Sequence, residues 1–179
     1  MTDAALARCF SCGALVPDIV GPTHEYMLSS PGCWQCYGEL LAMEYEPSFY
    51  NPNIHRITVD SYAVSHPGTP ERRAIQSVNV HLVSLYCVFE QRLPGKQATK
   101  IIKALVDDSE ITKRLSWLAP PDFSEAMVVT DVLRAGNRED HERLVTAWGQ
   151  SLWNAWKERH LPTIESTAAP LLRALHRSG

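Results

Sequence analysis

The sequence predicts a mainly α-helical protein, in which a helical bundle follows a loop-rich N-terminal segment. From position 33 onward, apolar residues recur at spacings of three and four, which is the period of an amphipathic helix. Residues 1–30 are instead rich in Gly, Pro and small side chains and show no helical period. The alternation that is typical of strands is rare. We therefore expect a single domain over residues 1–179, with an irregular segment at 1–32 and the bundle at 33–179.

The size and charge of the chain argue against several classes of function. A chain of 179 residues with 45% hydrophobic residues can bury an ordinary core without disulfides. A net charge of −3 and a pI of about 6.1 argue against nucleic acid as a partner. No run of about 18 apolar residues is present, so we expect no membrane-spanning helix. The N-terminal residues lack the basic-then-apolar pattern of a signal peptide, and we predict a cytoplasmic protein.

The clearest helix-start signal stands just before the second cysteine pair. Ser30 suits the cap position and Pro31 suits the first helical position. The apolar stripe of this helix consists of Tyr37, Leu40, Leu41 and Tyr45. A second helix is predicted from about Ile54 to His66. It ends there because the residue before a proline, here Pro67, avoids the helical region.

The remainder of the chain predicts further helices separated by breaks that contain Pro and Gly. Their ranges are about 69–92, a helix after Pro94–Gly95, a short helix at 109–118, and 124–134 as either a short helix or an irregular strand. Asn137 and Asp140 form a start signal for the last long helix. Its apolar stripe consists of Leu144, Trp148, Leu152 and Trp156. A separate terminal helix is predicted at 163–177, although Pro170 disfavours it.

Four of the five cysteines form two Cys-x-x-Cys pairs near the N-terminus. The pairs are Cys9 with Cys12 and Cys33 with Cys36, and twenty residues separate them. Zinc takes four tetrahedral nitrogen or sulfur ligands, and this spacing is near the range typical of a four-cysteine zinc site. Cys33 would lie in the first turn of a helix, where the helix dipole favours the thiolate that binds metal. The sequence therefore predicts zinc as a cofactor that clasps the N-terminal segment.

His24 lies between the two pairs and competes for a place in the zinc site. One ligand set consists of Cys9, Cys12, Cys33 and Cys36, which would be closed and structural. The other set consists of Cys9, Cys12, His24 and Cys33, which leaves Cys36 spare. A redox dithiol is less favoured, because thioredoxin-like motifs accompany a βαβ pattern that this sequence lacks.

A second group of residues, His55, Asp60, His66 and His81, has the side-chain types of a metal or acid–base site. His55 and His66 are about 16 Å apart on a straight helix, so they cannot bind the same ion. The best pairing joins Asp60 or His66 to His81 on the next helix. The alternative is that these groups are hydrogen-bonded core residues. The remaining histidines His141, His160 and His176 lie among charged residues and are predicted to be at the surface.

The sequence resembles an uncharacterised bacterial family known only as a domain of unknown function. The matching motifs are CFSCGA at 9–14, GPTH at 21–24, SPGCW at 30–34, YGE at 37–39, HRITVDSYAVSHPG at 55–68 and SVNVHL at 77–82. The resemblance implies a ligand set of Cys9, Cys12, His24 and Cys33, with Cys36 as an addition in this chain. It implies no activity.

Three functions remain open from the sequence. The first is a small binding or regulatory module with structural zinc, whose partner is a small molecule or a protein. The second is a metal-dependent enzyme that acts on a small molecule through His55, Asp60, His66 and His81. The third is a metal or thiol-redox sensor with Cys36 as its exchangeable thiol. The oligomeric state is open.

Overall fold

Helices make up most of the structure, a computed structural model in which residues 5–177 are described. The two strands are β1 (Leu6–Arg8) and β2 (Leu15–Pro17). The helices are α1 (Pro31–Tyr45), α2 (Pro52–Ser65), α3 (Arg72–Phe89), α4 (Gly95–Asp107), α5 (Ser109–Arg114), α6 (Val129–Val132) and α7 (Arg138–Arg177). The mainly α class is therefore confirmed. Within residues 5–177, no helix combines the length and apolar character that a bilayer crossing requires.

The N-terminal segment contains a β-hairpin where the sequence predicts only irregular loops. Strands β1 and β2 pair antiparallel, with Leu6 opposite Pro17 and Arg8 opposite Leu15. The prediction of an irregular segment is wrong for this stretch. Each strand is only three residues long, too short for the alternation of a strand to stand out in the sequence. The inner face of the hairpin buries Val16, which is 1% exposed.

Helix α1 begins at the predicted position and lies close against the hairpin. The Ser30 hydroxyl accepts a hydrogen bond from the Cys33 backbone N–H (3.4 Å), and Pro31 is the first helical residue. Gly32 faces β2 so closely that a β-carbon there would overlap the carbonyl oxygen of Pro17. Glycine at this position therefore allows the start of α1 to touch the hairpin backbone.

Helices α2 and α3 pack against each other and against α7, which is the centre of the bundle. Helix α7 is continuous for 40 residues, although the sequence predicts a break and a separate terminal helix. A proline within a helix removes one backbone hydrogen bond and costs about 3 kcal/mol. Helix α7 contains two, Pro162 and Pro170. The side chains of Ile164, Ala168 and Leu171 are buried beyond the first proline, and their packing offsets this cost.

A buried carboxylate joins three helices at the end of α1 opposite the cysteines. Glu44 is 2% exposed and accepts hydrogen bonds from His55 Nδ1 (2.7 Å), from His141 Nε2 (3.0 Å) and from the hydroxyl of Thr58. His55 and Thr58 belong to α2, and His141 belongs to α7. His141 is fully buried, so the prediction that it lies at the surface is wrong. Its charged sequence neighbours face solvent while its own ring turns inward to this carboxylate.

The hydrogen bonds of Glu44 stabilise its ionised form. Burial alone raises the pKa of Glu44, but the donors His141, His55 and Thr58 outweigh it and hold the pKa below the usual 4.5. The folded state therefore binds fewer protons than the unfolded state between these two values. The stability that Glu44 contributes is complete above pH 4.5 or so and is lost as the pH falls through the folded pKa.

We expect Gly32→Ala to lower the free energy of unfolding by about 1–3 kcal/mol, because the added methyl group must push α1 away from the Pro17 carbonyl. Gly38→Ala is the matched control on the same helix, where a β-carbon meets nothing within 4 Å. This control should gain about 0.5–1 kcal/mol from helix propensity. Urea unfolding of both variants measures the difference, and equal effects would contradict the close packing of α1 on β2.

We expect Glu44→Gln to lose about 1–3 kcal/mol of unfolding free energy at pH 7, because His141 and His55 lose their charged acceptor. The difference from wild type should shrink as the pH falls from 4.5 through the lower pKa that Glu44 has in the folded protein, because the wild-type carboxylate is then protonated as well. Urea unfolding at a series of pH values from pH 7 down to about pH 3 measures this change. The exposed Glu39→Gln variant serves as the control and should change stability by less than about 0.5 kcal/mol. A Glu44→Gln deficit that does not vary with pH would contradict the account.

Candidate metal centre

Three cysteines and one histidine form a buried cluster between the hairpin and the first two helices. The side-chain donor atoms of Cys9, Cys12, Cys33 and His66 all lie within 4.8 Å of one another. The exposed fraction is 2% for Cys9, 5% for Cys12, 0% for Cys33 and 1% for His66. Sulfur and imidazole donors that converge in the protein interior are typical of a metal site.

Cys9 and Cys12 reach the cluster from the tight turn of the hairpin. The Cys9 backbone N–H donates to the Ala14 carbonyl (2.8 Å), and the Gly13 N–H donates to the Cys9 carbonyl (2.9 Å). Gly13 has a φ of 76°, a conformation that glycine adopts without steric cost. This closed turn holds both thiols on one side of the loop, as the two-residue spacing predicts.

Cys33 and His66 come from helix ends that meet at the cluster. Cys33 lies in the first turn of α1, near the positive end of the helix dipole. His66 caps the C-terminus of α2. The Sγ atom of Cys33 lies 3.3 Å from Nε2 of His66, and the Sγ atom of Cys9 lies 3.6 Å from the same nitrogen.

The other ring nitrogen of His66 sets its tautomer. Nδ1 lies 2.8 Å from the backbone carbonyl of Tyr62, which can only accept a hydrogen bond. Nδ1 therefore carries the proton, and in the neutral ring the Nε2 lone pair faces the sulfurs. Backbone carbonyls orient metal-binding histidines in this way in many proteins.

Three of the six donor–donor distances in the cluster are close to the edges of a tetrahedral metal site. Zinc–sulfur bonds of about 2.3 Å and zinc–nitrogen bonds of about 2.0–2.1 Å place tetrahedral sulfurs about 3.8 Å apart, and sulfur and nitrogen about 3.6 Å apart. Cys12 Sγ and Cys33 Sγ are 3.7 Å apart. The separations from His66 Nε2 to the Sγ atoms of Cys33 and Cys9, 3.3 and 3.6 Å, are also close to the tetrahedral value. One ion fits between these four atoms.

The thiols affect each other's protonation strongly. Hydrogen bonds from Cys12 and Cys33 lower the pKa of Cys9. Hydrogen bonds with Cys12 and Cys9, together with burial, raise the pKa of Cys33. Burial lowers the pKa of His66, but its contacts with Cys12 and Cys9 outweigh burial and raise the pKa to about 9. Because negative charges this close repel each other, the three thiols require a cation to be ionised together.

Tyr62 supports the cluster from the side of α2. Its ring is fully buried and stacks on His66, with 4.1 Å between centroids, and on Tyr37, with 3.8 Å between centroids. Its hydroxyl donates to Cys33 Sγ at 3.8 Å. Tyr62 therefore packs against the imidazole and restricts the orientation of its ring. The sequence carries one signal for this role, since Tyr62 lies one helical turn before His66.

The structure places His24 and Cys36 outside the four-atom cluster. The His24 ring packs edge-on against Tyr26 and Trp34, with centroids 4.4 and 5.3 Å away, and its Nδ1 accepts the Tyr26 N–H (3.5 Å). Cys36 lies one turn further along α1 and is 5% exposed. His66 is the fourth member of the cluster, the place for which the sequence offers His24 and Cys36 as alternatives. His66 reaches the cluster only because α2 packs against α1, and the local sequence does not predict that contact.

The second predicted group separates into three places. His66 belongs to the cysteine cluster, and His55 binds Glu44. Asp60 and His81 do meet, with 2.7 Å between Oδ1 and Nδ1. Asp60 is fully buried, and its other oxygen lies 3.6 Å from Nε of Arg56. Within residues 5–177, the Cys9–Cys12–Cys33–His66 cluster is the only group of three or more such side chains that can hold an ion.

Comparison with known proteins yields a family and no described relative. No curated protein and no solved structure matches this chain. Residues 7–157 match a family whose description is "family of unknown function", DUF5946. The matched region contains all four residues of the cluster and the Asp60–His81 pair. The predicted resemblance to an uncharacterised family is confirmed, and the chain belongs to the DUF5946 family of unknown function.

Proposed function

We propose that this protein is a zinc-binding helical module in which the metal has a structural role. The observation that carries the proposal is the convergence of four buried donor atoms within 4.8 Å of one another. Three thiolates and one imidazole form a recurrent ligand set of structural zinc. A catalytic zinc keeps one position open to solvent, whereas all four residues here are at most 5% exposed.

The metal would fasten the N-terminal segment to the bundle. Cys9 and Cys12 come from the hairpin, Cys33 from α1 and His66 from the end of α2. One ion bound to all four would join three parts of the chain at this end of the bundle. Binding to a site that exists only in the folded state adds directly to the free energy of unfolding.

A binding or regulatory role fits this arrangement better than catalysis at the metal. The enzyme alternative has less support, because His55, Asp60 and His66 lie in separate surroundings. The sensor alternative has less support as well. Cys36 is buried, and burial together with the charge of Glu39 raises its pKa, which disfavours the reactive thiolate.

A cytoplasmic location is part of the proposal. All five cysteines are free thiols in the structure, and three of them meet where a metal needs reduced sulfur. A reducing compartment keeps such thiols available for metal. The partner is proposed to be a small molecule or a protein.

We expect the purified protein to contain one zinc per chain by elemental analysis. Cys9→Ser and His66→Ala should each lose most of this zinc, because each removes one of four ligands. His24→Ala and Cys36→Ala are matched controls and should keep the wild-type zinc content. Retention of zinc by His66→Ala together with its loss from His24→Ala would contradict the proposed ligand set.

We expect a zinc chelator to lower the melting temperature of the wild-type protein by about 8–16 °C. A ligand at 1,000 times its dissociation constant contributes about 4 kcal/mol. In a chain of this size each kcal/mol shifts the melting temperature by about 2–4 °C. Cys9→Ser should melt near the chelated wild type and should not respond further to chelator. A metal-free wild type that melts at the same temperature as the zinc form would rule out a structural role.

A further inference from the structure

A groove of about 520 Å³ lies between α4 and the C-terminal end of α7. Its apolar lining includes Ile101 and Ala104 from α4 and Leu171 and Leu175 from α7. Lys100 lines the groove as well, and no aspartate or glutamate does. A space of this size lies in the range of ligand-binding sites, and it shares no residue with the metal cluster.

The large apolar side chains of the groove are recessed. Ile101 is 1% exposed and Leu171 is 8% exposed. Leu175 is half-buried, whereas the small side chain of Ala104 is exposed. The groove is therefore shaped to receive apolar side chains from a partner rather than to insert its own.

Three exposed lysines, which we call the lysine stripe, follow α4 beside this groove. Lys96, Lys100 and Lys103 are spaced by four and three residues, so they lie on one face of the helix. Within residues 5–177 none of the three forms an ion pair. Asp107, the carboxylate nearest to them in the sequence, pairs with none of them. The lysine ammonium groups are therefore available to an anionic partner.

The end of the bundle that contains the groove is basic, although the chain as a whole is acidic. Residues 91–106 and 166–177, which include the groove, contain six lysines and arginines and no aspartate or glutamate. The net charge of the whole chain is −3. A local excess of one sign of charge steers and selects a partner of the opposite sign. This surface is therefore complementary to an acidic partner.

An amphipathic helix of another protein matches both the apolar lining and the lysine stripe. From Gln97 to Ala104 the groove follows two turns of α4, about 10 Å at a rise of 1.5 Å per residue. This length accommodates apolar side chains at positions i and i+3 or i+4 of a docked helix, which is how amphipathic helices bind in grooves. Carboxylates on the flank of the same helix would lie opposite the lysine stripe.

Two other anionic partners match the groove less well. Nucleic acid is bound mainly through its phosphates, which leaves the apolar lining unused. A membrane-binding surface inserts projecting apolar side chains among the lipid headgroups, whereas the large apolar side chains here are recessed.

We infer that this groove docks an acidic amphipathic helix of a partner protein. The apolar side chains of that helix enter the groove, and its carboxylates pair with the lysine stripe. The inference rests on the proposed role as a binding module and names the chemistry of its partner. It does not depend on the identity of the metal, because the groove and the metal cluster share no residue.

The test is an NMR titration of the full-length, zinc-loaded protein with a synthetic amphipathic peptide of about 20 residues, which carries leucines on one face and glutamates beside them. The expected result is a saturable shift of backbone amides in residues 95–107 and 170–177. Two control peptides, one with glutamine in place of glutamate and one with serine in place of leucine, should each bind about tenfold more weakly. Anionic lipid vesicles and a DNA duplex, titrated in the same way, should leave these amides unchanged.

Lys100→Glu should weaken peptide binding by about tenfold, because it replaces an attraction with a repulsion at the lining of the groove. Lys113→Glu is the matched control, since Lys113 is 69% exposed, pairs with Glu110 on α5 and does not line the groove. This control should bind within about twofold of wild type. Both lysines are surface residues, so both variants keep the fold.

Ala104→Arg separates docking in the groove from a simple attraction of charges. The arginine side chain fills the groove but adds a positive charge, so it should weaken peptide binding by about tenfold when the groove receives the leucines. Thr99→Arg is the matched control, since Thr99 is exposed on α4 and does not line the groove. This control should bind at least as tightly as wild type.

The inference fails if the acidic peptide gives no saturable shift, if the glutamine or serine peptide binds as well, or if Ala104→Arg keeps wild-type affinity. It also fails if vesicles, DNA or a rise in protein concentration shifts these amides and the peptide does not, because a membrane, a nucleic acid or a second copy then covers the groove. Zinc content measured on the same samples separates this failure from a failure of the metal proposal. One zinc per chain without peptide binding contradicts the docking inference alone.

Discussion

The contact between Cys33 and His66, with 3.3 Å between Sγ and Nε2, holds the first turn of α1 against the last turn of α2. Cys9 and Cys12 bring the hairpin to the same point. Without a cation, this arrangement places three thiols in a space where mutual repulsion and burial oppose their ionisation. A divalent ion bound there would reverse that balance, because it would neutralise the thiolates and hold all four donors at once. In the proposed function, this centre fastens the N-terminal segment to the bundle.

Helix α2 connects the centre to the rest of the bundle through a series of buried polar side chains. His66 contributes to the metal cluster at one end, and His55 contacts the carboxylate of Glu44 near the other. Between them Asp60 crosses to His81 on α3. Each of these buried or partly buried groups has a charged or hydrogen-bonding partner on another helix, as polar groups in a protein interior require. The same helix thus contacts α1, α3 and α7 and positions His66 of the cluster and, through Asp60, His81 on α3.

Local signals in the sequence predict local structure well. The start of α1 at Ser30–Pro31 can be predicted from residues that are close together in the chain. The same holds for the pairing of Cys9 with Cys12 and for the place of Cys33 in the first turn of α1. The fourth donor does not, because His66 is 33 residues from Cys33 and meets it only through tertiary packing. His24 was the nearer histidine in sequence, but its ring packs between Tyr26 and Trp34 instead. The sequence does not predict the continuity of α7 through Pro162 for the same reason, since core packing overrides local propensity.

X-ray absorption at the zinc edge of the purified protein tests the central claim most directly, because it reports the atoms bound to the metal. The account predicts three sulfur neighbours at about 2.3 Å and one nitrogen neighbour at about 2.0–2.1 Å, with the multiple-scattering pattern of a histidine ring. The His66→Ala variant should lose that pattern from whatever metal remains. Four sulfur neighbours and no histidine in the wild type would show that Cys36 replaces His66. An oxygen-rich shell would contradict the structural site altogether.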